Sequence, residues 1–237
     1  SVSGFDLTFS PAKSVSVAWA LSDEETARRI EALHHQAVKE AIAWAEDNVI
    51  FTRSGKQGRE QIKTKGVIAS EFKHYDTRSG DPDLHSHVLV SNKVQAEDGR
   101  WLSLDSKALH KQAQAISHRY DSILNTLLSN QMGYTFTACD HGTNKEPTWE
   151  IDGISASLME SFSKRRRGAQ PVYKRLVEEF VAARGATPNS VEVGRLWQQA
   201  ILETRDAKRE PESLSELRAG WRKDVAAREN GTEELAD

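Results

Sequence analysis

With 237 residues, 38% of them hydrophobic and 28% charged, the chain can bury a sizeable core as one large domain or two small ones. No apolar run is long enough to span a membrane and there is no signal-peptide pattern. The one cysteine, Cys139, excludes an internal disulfide. Together these lead us to expect a cytoplasmic protein without membrane insertion. The net charge of -3 does not advertise a nucleic-acid binder, but local patches rather than totals set phosphate affinity.

Residues 4–10 alternate, with Phe5, Leu7 and Phe9 on one face and Asp6, Thr8 and Ser10 on the other. That is the pattern of a half-buried strand, and Pro11 ends it. Residues 13–19 alternate again and predict a second strand. Ser22-Asp23-Glu24-Glu25 reads as a capping box. The helix it opens runs to about residue 47, with Ala27, Ile30, Leu33, Ala37, Ala41 and Trp44 as its buried stripe. His34 and His35 ride on it and read as surface or packing histidines rather than ligands. Residues 49–52 predict a short strand, and 53–59 a basic, glycine-containing hairpin loop, either a solvated turn or a phosphate grip.

The most informative stretch follows. Residues 66–73 suit a strand, residues 78–83 (Arg-Ser-Gly-Asp-Pro-Asp) are dense in turn formers, and Leu84-His85-Ser86-His87 leads into a second apolar strand. Side chains alternate along a strand, so His85 and His87 share a face and Ser86 takes the other. In a hairpin His74 returns level with that pair, on the face of Ile68, Ser70 and Phe72, while Tyr75 faces away. Three converging imidazoles suit a divalent metal, and three protein ligands leave coordination positions open, as catalytic sites require. A His-x-His pair alone is more often two polar residues on an exposed face. His74 across a tight turn, with Asp81 and Asp83 nearby, favours metal.

Asp98-Gly99-Arg100-Trp101 turns into a strand at 102–104. A helix is predicted from about 105 to 131, with the stripe Leu109, Ala113, Ile116, Tyr120, Ile123, Leu124 and Leu127, and Gly133 as its stop. Residues 134–137 and 148–151 form a hairpin joined by a polar loop containing Asp140, Gly142, Asn144 and Pro147. From Ser155 the pattern is helical, in segments 155–163, 170–184, 190–203 and 213–228 separated at Gly168, Gly185, Pro188 and Pro211. Lys164-Arg165-Arg166-Arg167 falls at a helix junction, as a solvated charge run or a phosphate clamp.

His74, the Ser79-Gly80-Asp81-Pro82 turn and Leu84-His85-Ser86-His87 resemble the HUH motif of MobF-class conjugative relaxases, the TrwC/TraI family. Gly4-Phe5-Asp6-Leu7-Thr8-Phe9-Ser10-Pro11-Ala12-Lys13-Ser14-Val15-Ser16 resembles that family's first block. Phe162-Ser163-Lys164-Arg165-Arg166 and Glu203-Thr204-Arg205-Asp206-Ala207-Lys208 resemble later ones. The resemblance extends from Gly4 to about Val225. Ser86 departs from the hydrophobic middle residue frequent in HUH proteins. The family's catalytic tyrosines lie before the first block, and none of Tyr75, Tyr120, Tyr134 and Tyr173 matches them.

The resemblance implies an α+β fold: a central antiparallel palm-like sheet of about five strands in residues 1–154, with flanking helices, and helical fingers in 155–237. It implies one divalent ion (Mg, Mn or Zn) on His74, His85 and His87, with Asp6 beside them as a catalytic carboxylate. It implies site-specific nicking of single-stranded transfer-origin DNA through a phosphotyrosine during conjugation, with phosphate contacts from Lys13, Arg78, Arg165 and Arg166. A C-terminal helicase domain and other conjugation proteins are the expected partners. Lacking the tyrosine segment, this stretch is expected to be inactive in nicking. A water-using phosphodiesterase and a non-catalytic single-strand-binding module remain open as other readings.

Overall fold

The computed structural model describes residues 2–140, 146–207, 210 and 212–233. The chain divides into two compact units. One comprises Ser1–His74 and Leu84–Gly153, the other Tyr75–Asp83 and Ile154–Asp237. The fold is α+β. No helix among the described residues is long and apolar enough to cross a membrane.

The first unit is built on a sheet in the order β1 (Gly4–Phe9), β5 (Pro82–Ser91), β4 (Ala69–Asp76). Among the described residues it has three strands rather than about five. The neighbouring strands pair separately as two-stranded ribbons, β2 (Phe51–Ser54) with β3 (Glu60–Lys63) and β6 (Lys93–Gln95) with β7 (Trp101–Ser103). β1 runs antiparallel to β5, from Gly4 opposite Ser91 to Phe9 opposite Ser86. Along β5, Leu84, Ser86, Val88 and Val90 are buried while His85, His87 and Leu89 are not. That alternation marks a sheet with one covered face. Two helices lie behind it, α2 (Glu24–Asn48) and α3 (Ser106–Met132), which pack on each other. The α2 stripe Ala27, Ile30, Leu33, Ala37 and Ala41 is buried, as is Leu109, Ile116, Tyr120 and Leu124 on α3. Each large aliphatic side chain so buried contributes about 1.5–3 kcal/mol. The α3 stripe turns slightly from expectation: Ala113 is exposed and Leu128 is buried. Gly133 ends α3 at φ 75, a left-handed cap that glycine adopts without a Cβ penalty.

Two local expectations are corrected. Residues 13–19 form a helix, α1 (Lys13–Leu21), not a strand. The alternation of serine with valine misled because every residue from Ser14 to Ala20 is buried, so no solvent face exists to impose a helical period. The serines are tolerated because they are bonded: Ser14 Oγ accepts from Ile151 N at 2.8 Å and Ser16 Oγ from Leu84 N at 3.1 Å. The Glu150 carboxylate, on β9 (Thr148–Ile151), accepts from Ser14 N at 2.9 Å, a favourable charge at a helix start. β9 pairs with β8 (Phe136–Cys139), giving the expected hairpin. In the second correction, α2 is capped by Asp23, whose carboxylate accepts from Thr26 N at 2.9 Å, rather than by Ser22.

The second unit holds α4 (Ala156–Ser161), α5 (Lys164–Arg184), α6 (Ser190–Glu203) and α7 (Leu214–Glu233). α5 begins at Lys164 and runs through Gly168, so the basic run is its first turn and Gly168 is no boundary. α5 and α6 pack through Ala169, Leu176 and Ala200, with Tyr173 edge-on to Trp197 at 4.9 Å between centroids. The turn between β4 and β5 belongs to this unit. Asp81 Oδ2 accepts from Lys164 N at 2.6 Å, and Trp221 Nε1 donates to Gly80 O at 2.8 Å. Gly142, Asn144, Lys208 and Pro211, named above, lie outside the described residues.

Candidate metal centre

The open face of the sheet carries the histidines. β4 brings His74 and β5 brings His85 and His87, and their ring centroids stand 5.1 Å (His74–His85), 5.0 Å (His74–His87) and 5.3 Å (His85–His87) apart. Three imidazoles sharing one tetrahedral ion at ~2.0–2.1 Å per nitrogen place their ring centres about 5 Å apart, so these separations fit a tri-histidine centre. Asp81, in the second unit, is buried beneath the first turn of α5, where it bonds Lys164 N.

Asp6 lies across the β1–β5 pair on the same face, opposite Leu89 and one step from Thr8, which faces His87. His87 Nδ1 is 2.9 Å and 3.0 Å from the two oxygens of Asp6 and 3.2 Å from Thr8 Oγ1. An ionised carboxylate only accepts, so Nδ1 carries the proton. In the neutral ring that leaves Nε2 with a free lone pair, the tautomer that a carboxylate partner also fixes in metal-binding histidines.

Sequence reasoning missed the polar network on the covered face. Ser86 points inward between the two histidines and is wholly buried. Its hydroxyl donates to Glu71 Oε1 at 2.8 Å and lies 2.9 Å from His34 Nε2. His34 Nδ1 is 2.7 Å from the Tyr120 hydroxyl, and His35 Nδ1 is 2.6 Å from Glu71 Oε1. Burial, with a smaller contribution from neighbouring His35, lowers the His34 pKa to about 3, and burial pushes the Tyr120 phenol well above its ordinary range. Both are therefore neutral at physiological pH. One ligand atom from each of His34, His35 and Glu71 falls within 4.8 Å of the others. Both His34 nitrogens and His35 Nδ1 are already engaged in these contacts, so the group is organised as a hydrogen-bonded chain. The signal was present in the sequence: a serine forced inward by strand parity needs a buried polar partner.

The cationic residues are dispersed. Lys13 is the first residue of α1, in the unit of the histidines. Arg78 is exposed on the β4–β5 turn, and Arg165 and Arg166 are exposed on the first turn of α5, all in the second unit. The basic 53–59 loop is partly internal, since Arg53 Nε donates to the buried carboxylate of Asp105 at 2.8 Å.

Residues 1–228 match the TrwC relaxase family. A multifunctional conjugation protein TraI of Escherichia coli is 30% identical over 211 residues, covering 85% of this chain and 12% of TraI, so the chain spans about an eighth of that relative. A structure of the conjugative relaxase TrwC in complex with oriT DNA, metal-free, superposes with a TM-score of 0.75 at 29% identity, covering 97% of this chain and 74% of that one. A copper-bound TrwC complex with oriT DNA gives 0.73 at 29% identity, covering 95% and 70%. With a family match along nearly its whole length and a sheet that gathers three histidines beside an aspartate, the chain belongs to the TrwC relaxase family.

Proposed function

We propose that this chain is the metal- and DNA-binding core of a conjugative relaxase, a strand transferase that nicks one strand at a transfer origin. The convergence of His74, His85 and His87 to 5.0–5.3 Å between ring centroids, with Asp6 on His87, carries this reading. A divalent ion on these rings would supply Lewis-acid stabilisation of charge developing on a non-bridging phosphate oxygen. The chain's own residues do the rest. Asp6 holds the His87 proton on Nδ1 and keeps Nε2 turned to its ligand role. Lys13, Arg78, Arg165 and Arg166 hold phosphates of the bound strand. The oriT-bound TrwC relatives support origin DNA as the ligand. A helicase portion in a longer parent protein would be the natural companion, unwinding the strand that is nicked.

In the family reaction a tyrosine oxygen attacks phosphorus, the bond to the 3′-oxygen breaks, and that oxygen leaves as a 3′-hydroxyl after taking a proton. The four tyrosines here are poorly placed for this role. Tyr120 is buried and bonded to His34, Tyr75 alternates to the face opposite the histidines, Tyr173 packs on Trp197, and Tyr134 follows the α3 cap. We therefore expect the 237-residue chain alone to retain origin DNA without forming a covalent adduct.

The test is to incubate the chain with end-labelled single-stranded origin DNA and Mn²⁺, and to run filter binding beside a denaturing gel. Retention on the filter with no label migrating with protein supports the reading. Cleavage that releases a free 5′-phosphate establishes the water-using phosphodiesterase instead. Failure to retain the DNA overturns the proposal.

A further inference from the structure

We infer that Ser86 is the positioning residue of the metal centre. From the covered face of the sheet, its hydroxyl fixes the stretch of β5 that presents His85 and His87 on the open face. This rests on the reading of the three histidines as metal ligands.

The directions of the bonds around Ser86 can be deduced one from another. Glu71 is an acceptor, and the Ser86 hydroxyl has one proton, which it gives to Glu71 Oε1 at 2.8 Å. Toward His34 Nε2, 2.9 Å away, Ser86 Oγ must then accept, so Nε2 carries the ring proton. His34 is neutral, its pKa lowered to about 3 chiefly by burial, which leaves Nδ1 as an acceptor for the Tyr120 hydroxyl at 2.7 Å. His35 Nδ1 donates a second bond to Glu71 Oε1 at 2.6 Å. The protons all point one way: Tyr120 to His34, His34 to Ser86, Ser86 to Glu71. The chain joins α3, α2, β5 and β4 through side chains, of which Ser86 and His34 are wholly buried and Tyr120 nearly so.

Ser86 lies between two ligands on adjoining positions of one strand. A shift or twist of β5 at Ser86 displaces the Cα atoms of His85 and His87 together, because their side chains leave the same short segment of backbone on the opposite face. A hydrophobic residue at this position would be held by packing alone. Serine with both of its hydrogen-bonding roles used is held in direction as well. Loss of the hydroxyl leaves the buried His34 N–H without its acceptor, and the segment is expected to relax.

The experiment compares the wild-type chain with Ser86→Ala, Ser86→Thr, Glu71→Gln and Tyr120→Phe. Mn²⁺ affinity is measured by calorimetry well below the melting temperature, and the visible spectrum of the Co²⁺-loaded protein reports ligand geometry. Ser86→Ala is expected to weaken metal binding by about tenfold or more, in the range of second-shell losses, and to alter the Co²⁺ bands. Ser86→Thr, which keeps the hydroxyl, should restore both. If Ser86→Ala does not fold, Glu71→Gln carries the same expectation, because a neutral amide oxygen accepts both bonds more weakly than a carboxylate does. A folded Ser86→Ala chain with wild-type affinity and an unchanged Co²⁺ spectrum overturns the inference. A wild-type chain that takes up no metal overturns the reading of the three histidines themselves, so the two failures are told apart.

Discussion

Asp6 and His87 are joined across the β1–β5 pair, with both carboxylate oxygens 2.9–3.0 Å from the same ring nitrogen. An asparagine at position 6 keeps the shape, but its NH₂ can compete with its oxygen for that contact and its negative charge is gone. Asp6→Asn should weaken Mn²⁺ binding by roughly tenfold, at the lower end of second-shell effects, without abolishing it. His85→Ala should abolish stoichiometric uptake while leaving the helices folded. Calorimetry with circular dichroism checks both. Equal losses in the two variants would mean that Asp6 is itself a ligand.

His34 should make the fold sensitive to acid. Its pKa is lowered from 6.5 unfolded to about 3 folded. The unfolded chain therefore binds the extra proton first, and stability is lost as pH falls from about 6.5 toward 3. Between pH 7 and pH 5 the loss from this one group is about 2 kcal/mol, at 1.36 kcal/mol per pH unit. Urea denaturation at the two pH values, in the wild type and in His34→Gln, isolates it. An unchanged pH slope in the variant would count against this account.

The first turn of α5 should read phosphates. Arg165 and Arg166 are exposed there, and each phosphate contact on a single strand contributes about -0.7 to the slope of log K against log salt. Arg165→Ala with Arg166→Ala should therefore flatten that slope by about 1.4 for origin DNA. A slope that does not change assigns the basic run to solvation.

Asp81 should matter for stability and not for metal. Its buried carboxylate accepts from Lys164 N at 2.6 Å, at the start of α5. Asp81→Ala should destabilise the protein by about 1–3 kcal/mol, the cost of a lost charged acceptor for a helix-start N–H. Its Mn²⁺ affinity should remain that of the wild type. Thermal unfolding and calorimetry together decide this, and a selective loss of metal would return Asp81 to the site.

The histidine centre was legible because strand parity is a strict rule. His85 and His87 had to share a face, and a tight turn had to bring His74 back beside them. The amphipathic helices α2 and α3 were legible for the same reason, each having one wet side. α1 was not, because burial from Ser14 to Ala20 removes the contrast on which period detection depends. The start of α5 was obscured by a glycine that the helix tolerates, as single glycines cost only about 1 kcal/mol. That Ser86 needs a polar partner could be read from strand parity, but its partners His34 and Glu71 could not, because they lie 52 and 15 residues away in sequence and only tertiary packing brings them together.

The one-way run of protons from Tyr120 to Glu71 also limits how this sequence can change. A leucine at Glu71, a valine at Ser86 or a leucine at His34 each strands a neighbour that the other three positions were set to satisfy. Single substitutions along the chain are therefore disfavoured, whereas replacing the whole set by apolar residues relieves every partner at once. Lineages that diverge here should exchange positions 34, 71, 86 and 120 as a block, with serine giving way to an aliphatic residue only where the buried histidine has gone as well.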